Sequence, residues 1–281
     1  MNKYRIASIK VGTEVLHDSH ACRSRVFDHI AEQVAAVIYL GIPTIITSSA
    51  AVAFAGSYLS RIDGAGLGNW KTMKRSSLAG FGQPELMNEW KRAFEPHRLP
   101  VAQLLLTHAN MSDQHERFNL ADSVSTDYLT RRCVVVVNEN DLISHDEMSG
   151  IRDGALFSDN DMLAVHVTMM LMTKLGIEGT DIAQFFVTNN RGLYEPSNLQ
   201  AGERRWLRQI DHATLQDMHE SAQEKTTGGR GGGKTKALAL MTARRAGIQV
   251  GVGSYDEILP FLKGHEIRGT RVGEELSYHD L

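Results

Sequence analysis

The sequence predicts an α/β protein with a mostly parallel sheet covered by helices on both faces. Strand-like and helix-like segments alternate along almost the whole chain. The strand-like segments are continuous apolar runs, such as Cys133–Val137, and not alternating ones. A strand buried on both sides has no solvent face to mark with polar residues, which is the condition inside a parallel sheet. A length of 281 residues admits one large domain or two small ones. With no internal repeat and no linker beyond one glycine loop, one domain with two lobes fits best.

Taken in order, the apolar run 4–12 reads as a strand ending at Lys10-Val11-Gly12, and residues 21–40 carry helical periodicity stopped by Gly41. Residues 42–47 form a second buried strand running into Ser48 and Ser49, and a small-residue helix follows. Residues 71–94 read as helical with a break near Gly80–Pro84. Residues 101–107 form the third strand, 112–130 a polar helix, and 133–140 the least ambiguous strand. After an irregular polar stretch, 142–157, an apolar, methionine-rich helix spans 159–176. Residues 183–189 read as a strand, and 195–225 are charged and weakly patterned around the strand-like 204–210. A helix over 237–247, a strand over 248–254, a short helix over 256–262 and a last strand over 265–272 complete the chain.

Composition narrows the function classes. The formal net charge is −3 with 22% charged residues, which gives no general attraction to nucleic acid or anionic membrane. No apolar run reaches membrane-spanning length and the first ten residues lack a signal-peptide core, so a cytoplasmic protein is expected. Of the two cysteines, Cys133 opens an apolar run, and a buried reduced thiol is expected there.

The chemically distinctive stretch is Thr226–Lys236, with five glycines and three cations in eleven residues, directly ahead of a helix. Glycines let successive backbone N–H groups curl towards one anion, and Lys234 and Lys236 add full charge. Gly228, Gly233, Lys234 and Thr235 match the P-loop pattern, yet that motif needs a buried strand in front of it and residues 217–225 are polar. A flexible glycine-rich loop and a phosphate loop of another nucleotide-binding fold are the remaining readings.

In open α/β sheets ligands gather at the carboxyl ends of the strands. That rule puts Lys10–Gly12, Ser48, Thr107, Asn138–Asp141, Thr188–Asn189 and Gly253–Ser254 on one edge. Asn138-Glu139-Asn140-Asp141 can bind a charged small molecule or cap a turn. One acid of Asp159-Asn160-Asp161 would suffice to cap the helix that follows.

In sequence order, residues 9–16, 46–56, 82–86, 103–118, 135–143, 157–164, 187–194, 231–247 and 266–272 resemble the amino acid kinase family, on its glutamate 5-kinase branch. So many collinear segments also dispose of the P-loop reading. The resemblance implies an αβα sandwich around a mainly parallel sheet, the carbamate kinase-like fold. It implies an acceptor lobe over about 1–176 and a nucleotide lobe over about 177–281. It further implies ATP-dependent phosphorylation of the side-chain carboxylate of glutamate or a close analogue, giving an acyl phosphate as the first step of a proline-type pathway.

By the same resemblance, Lys10, Lys236 and Asp141 are catalytic. Ser48, Ser49, Asn140, Asp141, Asp159, Asn160 and Asp161 hold the acceptor. Lys10, Gly12, Thr188, Asn189, Tyr194, Gly231, Gly232, Gly233, Lys234, Thr235 and Lys236 hold the nucleotide. ATP and Mg²⁺ are the implied cofactors, no side chain is assigned to the metal, and a homodimer or homotetramer is implied. Phosphoryl transfer to a carboxylate needs charge neutralisation and alignment more than acid–base chemistry, since the acceptor is already ionised.

The departures from the family pattern are local. Ser49 stands where a glycine is usual, Ser158 replaces another glycine, Asn189 replaces an aspartate and Gly233 a methionine. Glu195-Pro196 stands in place of Asp-Pro, and the acceptor-binding asparagine falls nearest to Asn119. The chain stops where many members continue into a small RNA-binding-like domain. An altered acceptor (another small carboxylate, a carbamate or a phosphonate) is one alternative, and a catalytically weak binding protein of the same fold is another.

Overall fold

A computed structural model describes residues 3–16, 20–62, 68–143, 160–195, 205–221 and 233–273, with the side chains of residues 20–23 left aside. The elements are β1 (Ile6–Val11), α1 (Thr13–Leu16), α2 (His20–Tyr39), β2 (Thr44–Ser48), α3 (Ala51–Arg61), α4 (Arg75–Phe94) and β3 (Val101–Leu106). They continue with α5 (His108–Ser112), α6 (Gln114–Ser123), β4 (Val134–Glu139), α7 (Asn160–Leu175), β5 (Ile182–Val187), β6 (Leu193–Tyr194) and β7 (Trp206–Leu207). The last are β8 (Gln209–Ile210), α8 (His212–Ser221), α9 (Gly233–Arg245), β9 (Gln249–Gly253), α10 (Ile258–Leu262) and β10 (Thr270–Val272).

Among the described residues, eight strands form one sheet in the order β3-β4-β2-β1-β5-β9-β10-β8, and β6 and β7 form a separate ribbon. From β3 to β9 every pairing is parallel, and β10 runs antiparallel to β9. The expected mainly parallel α/β sheet is therefore present. β1 lies between β2 and β5, so the chain leaves β1 in one direction and returns on its other side. That makes the β1–β5 seam a topological switch point, where a crevice opens at the strand ends.

Strand parity assigns the two faces. Ala7, Ile9 and Val11 of β1, with Ile46, Val134, Val136, Phe185 and Val187, pack with residues of α2, α4 and α10. Ile6, Ile45, Val135, Val137, Phe186, Val250 and Val252 pack with residues of α7, α8 and α9. Both faces are buried, which explains why the strands read as continuous apolar runs.

Several sequence expectations are revised. α4 is continuous through Gly80–Pro84 despite its internal proline. A Cβ at Gly82 would fall 1.6 Å from the Ala51 carbonyl oxygen, so the bare glycine allows α3 and α4 to touch there, and that packing outweighs the breaker signal. The helix expected over 112–130 is instead α5, α6 and two tighter or wider turns over Val124–Arg131. The division comes from a second cap: Asp113 Oδ1 accepts from the His115 and Glu116 N–H groups. Within the weakly patterned 195–225, α8 emerges, and the strand-like 204–210 splits into β7 and β8. The last strand shortens to β10. Cys133 sits just before β4 and is half-buried, not fully buried. No described helix is long and apolar enough to cross a membrane.

Candidate active site

Lys10 occupies the penultimate position of β1, with the parity of Ile6 and Ser8, so it faces the α7–α9 layer. α7 begins at the same sheet edge, and its second residue is Asp161. α9 also begins there, and Lys236 lies in its first turn. The three side chains converge. Lys10 Nζ is 2.6 Å from Asp161 Oδ1, and Lys236 Nζ is 3.5 Å from Asp161 Oδ2. Phe186 of β5 lies beneath Lys236, its ring centroid 5.8 Å from Nζ.

Asp161 is only 2% exposed. Burial by itself pushes its carboxyl upward, but the two ammonium groups overcome that, Lys10 first and Lys236 second, and hold it down at about 2. The carboxylate is thus ionised at any physiological pH, and it keeps two cations together that would otherwise repel. Lys10 is nearly buried, with its side chain 9% exposed, while Lys236 remains 19% exposed. This is a cation pair aimed at one place and held by one anion.

A second, neutral group adjoins it. Asn160 Nδ2 donates to Ser49 Oγ at 3.0 Å and to Asn138 Oδ1 at 2.9 Å. Asn138 Oδ1 also accepts the Glu139 N–H at 2.9 Å, which fixes the orientation of the Asn160 amide. Asn160 Oδ1 is buried with no hydrogen-bond partner among the described residues. The ends of β2 and β4 are thereby tied to the start of α7.

The consecutive serines take opposite roles. Ser48 shares the parity of Ile46 and turns towards α4, where its Oγ accepts the indole N–H of buried Trp90 at 3.0 Å. Ser49 faces Asn160. The residue after them, Ala50, has φ 93°, a left-handed conformation that glycine adopts more readily than alanine. The backbone position that calls for glycine is thus Ala50 in this chain.

The other expected site residues distribute as follows. Asn140 and Asp141 follow β4 directly, both half-buried, with the Asn140 N–H donating to the Leu106 carbonyl at 2.8 Å. Asp161 is a carboxylate that joins the two lysines. Thr188 directly follows β5, its N–H donating to the Gly253 carbonyl at 2.9 Å, and its Oγ1 accepts the Asn190 N–H. Asn189 Nδ2 donates to the Glu14 carbonyl, linking the β5 end to α1. Gly12 lies in the β1–α1 turn. Gly233, Lys234 and Thr235 open α9, where the Lys234 carbonyl meets Nδ1 of His219 on α8 at 2.9 Å.

Tyr194 lies in the β6–β7 ribbon, paired with Trp206, and not in the lysine cluster. Asn119 is exposed on α6, and the asparagine that does structural work nearby is Asn110, whose Oδ1 accepts from the Thr107 N–H and hydroxyl. Asp159, Ser158, Gly231, Gly232, Pro196 and the stretch 144–157 lie outside the described residues. A separate cavity of about 620 Å³ opens between α6 and α7, lined by Met111, Phe118, Met169 and Lys174 among others, and by none of the residues above.

Asn138 carries no role of its own in the sequence pattern beyond its place in the Asn138–Asp141 cluster, and neither Glu14 nor Trp90 stands out there. Asn138 was on the predicted edge, so its strand-end position was an available signal.

Comparison with known proteins adds an independent line. The family model described as the amino acid kinase family matches residues 7–254. A glutamate 5-kinase of Xylella fastidiosa (strain M12) is 30% identical over 272 residues, covering 96% of this chain and 65% of that protein. A glutamate 5-kinase of Thermus thermophilus is 32% identical over 241 residues, covering 85% of this chain and 59% of that protein. The chain thus spans about two thirds or less of the length of these relatives. Among solved structures, carbamate kinase from Giardia lamblia bound to AMP-PNP superposes with a TM-score of 0.64 at 13% identity, covering 98% of this chain and 100% of that one. A UMP kinase from Bacillus anthracis gives 0.56 at 14% identity, covering 97% of each. At such identities these two likenesses concern the fold.

Proposed function

The chain belongs to the amino acid kinase family, and from that premise we propose that it transfers the γ-phosphoryl group of ATP to the side-chain carboxylate of glutamate or a close analogue. The observation that carries this reading is the meeting of Lys10 and Lys236, from opposite sides of the β1–β5 seam, on one buried carboxylate. In the transfer, an acceptor carboxylate oxygen forms a bond to the γ-phosphorus as the bond from that phosphorus to the β–γ bridging oxygen breaks. The products are an acyl phosphate and ADP. No proton has to move, because the acceptor enters as an anion.

The main barrier is repulsion between that anion and the triphosphate. Two ammonium groups on either side of the moving phosphoryl group offset it, and more strongly as charge spreads over the equatorial oxygens. Asp161 orients both ammonium groups and is not itself a nucleophile. Asn160, Ser49 and Asn138 form a neutral wall suited to the hydrogen-bonding end of an amino acid. Gly12 and the start of α9 supply backbone near the nucleotide phosphates. Mg²⁺ would come with the triphosphate, keeping several of its waters, and would offset part of the phosphate charge. Both Asp161 oxygens are already engaged by lysines and fit that arrangement poorly as metal ligands.

The sheet order supports an acceptor lobe built on β1–β4 and a nucleotide lobe built on β5–β10. The half-exposed outer strand β3 supports a homo-oligomer, for which sedimentation velocity is the check. The bond between Ser49 Oγ and the Asn160 amide favours an acceptor that differs from glutamate, since a hydroxyl now fills part of the wall. An ATP-consumption assay coupled to ADP release, run across a panel of amino acids and small acids, tests the reading. Acid-dependent turnover supports it. ATP binding with no stimulation by any acid would instead favour a binding protein of the same fold.

A further inference from the structure

We propose that Glu14 is an internal competitor for the phosphate groups of the nucleotide, resting on the bare backbone of Gly12 until phosphate displaces it. This role rests on the nucleotide-binding reading of the same edge. Gly12 has no side chain, and a Cβ placed on it would lie 2.5 Å from Glu14 Oε1 and 2.6 Å from Oε2. Both carboxylate oxygens therefore fill the space that the missing side chain leaves. The reading of Gly12 as a place where phosphate oxygens approach the backbone requires that same space.

The backbone of the segment is tied down, and the side chain of residue 14 reaches solvent. Asn189 Nδ2, at the end of β5, donates to the Glu14 carbonyl at 2.5 Å, and the Val15 N–H donates to the Gly12 carbonyl at 3.2 Å. These bonds hold the backbone of residue 14 against the switch point. Glu14 itself is exposed, so rotation about its side-chain bonds can swing the carboxylate out to water at small cost. A carboxylate and a phosphate oxygen cannot share the position, for steric reasons and because like charges at contact repel. Asn189 suits this role where an aspartate would not, since only the amide can donate to the carbonyl.

Removing the carboxylate removes a competitor, so Glu14→Gln and Glu14→Ala should each bind nucleotide more tightly. A carboxylate that instead held the metal ion would give the opposite sign when removed. The experiment is calorimetric titration of the full chain with ADP and with AMP-PNP, in Mg²⁺ and in EDTA, for wild type and both variants. The expected result is a fall in Kd of about three- to tenfold in both variants, with and without Mg²⁺. Wild-type binding with equal or weaker binding by both variants would overturn the inference and leave the nucleotide site standing. Absence of binding by every protein, wild type included, would overturn the site and this inference together. Because Glu14→Gln keeps the size of the side chain, a folding defect confined to Glu14→Ala leaves the test intact.

Discussion

Lys10 Nζ and Asp161 Oδ1 stand 2.6 Å apart in a setting almost closed to solvent, the lysine on a central strand and the aspartate at the start of the helix that crosses it. Removing one member of such a pair leaves the other charge buried without compensation, at a cost of about 3–5 kcal/mol. Asp161→Asn should therefore lower the melting temperature sharply and abolish turnover.

The same pair sets an acid limb of stability. The Asp161 carboxyl titrates at about 2 when folded, against an ordinary 3.8. Its contribution is thus fully present above about pH 4 and is lost as pH falls through about 2, amounting to roughly 2–3 kcal/mol at neutral pH. Thermal melts between about pH 5 and pH 2 should show a steeper loss for wild type than for Asp161→Asn. Parallel curves would mean that Asp161 has no such linkage.

Lys10→Ala and Lys236→Ala should each reduce turnover by about a hundredfold or more, as loss of a charge-stabilising donor does. Their stabilities should differ. Lys10 is buried against Asp161, while Lys236 makes a longer contact and is more exposed. Lys10→Ala should cost about 3 kcal/mol or more and Lys236→Ala clearly less. Steady-state kinetics alongside denaturant unfolding separates the two effects, and a mild kinetic change in both would remove the mechanism.

Ser48 and Ser49 should part company on substitution. Ser48→Ala leaves the buried Trp90 indole N–H without its acceptor, a loss of about 1–3 kcal/mol in stability, with little change in acceptor KM. Ser49→Gly frees the Asn160 amide and should change acceptor KM by about threefold or more at nearly constant ATP KM. Measuring both constants for both variants is the check. An unaltered acceptor profile in Ser49→Gly would show that this hydroxyl does not shape the pocket.

Ala50→Gly should stabilise the protein by about 0.5–1 kcal/mol, because the left-handed backbone at φ 93° strains alanine more than the added freedom of glycine costs. Urea unfolding at constant m-value reads this directly. A loss of stability would mean that the strain at Ala50 is already relieved by its packing.

Much of this site is legible in the sequence, for identifiable reasons. Lys10 stood out because a cation at the end of an apolar strand needs an explanation, and Lys236 because it follows a glycine loop at a helix start. Asp161 was visible as part of an acidic helix start, but its bond to both lysines was not, since strand order is needed to bring α7 and α9 over the same seam. The choice between Ser48 and Ser49 could not be read because both faces of β2 are buried, so alternation carries no polarity signal there. Asp113 with Glu116 was a readable helix-start pattern that the continuous polar stretch obscured. The course of α4 through Pro84 depends on contact with α3, which no local pattern reports.

The seam between β1 and β5 has a mechanical corollary. One ammonium group comes from β1 and the other from α9, which leads into β9 across the seam, and a single carboxylate spans them, so any hinge between the halves must stretch or relax that three-membered link. Opening the crevice far enough to release product would then weaken the electrostatic field at the moment the phosphoryl group no longer needs it, and reclosure would restore it. Ligand exchange and catalytic strength would be opposite ends of one motion.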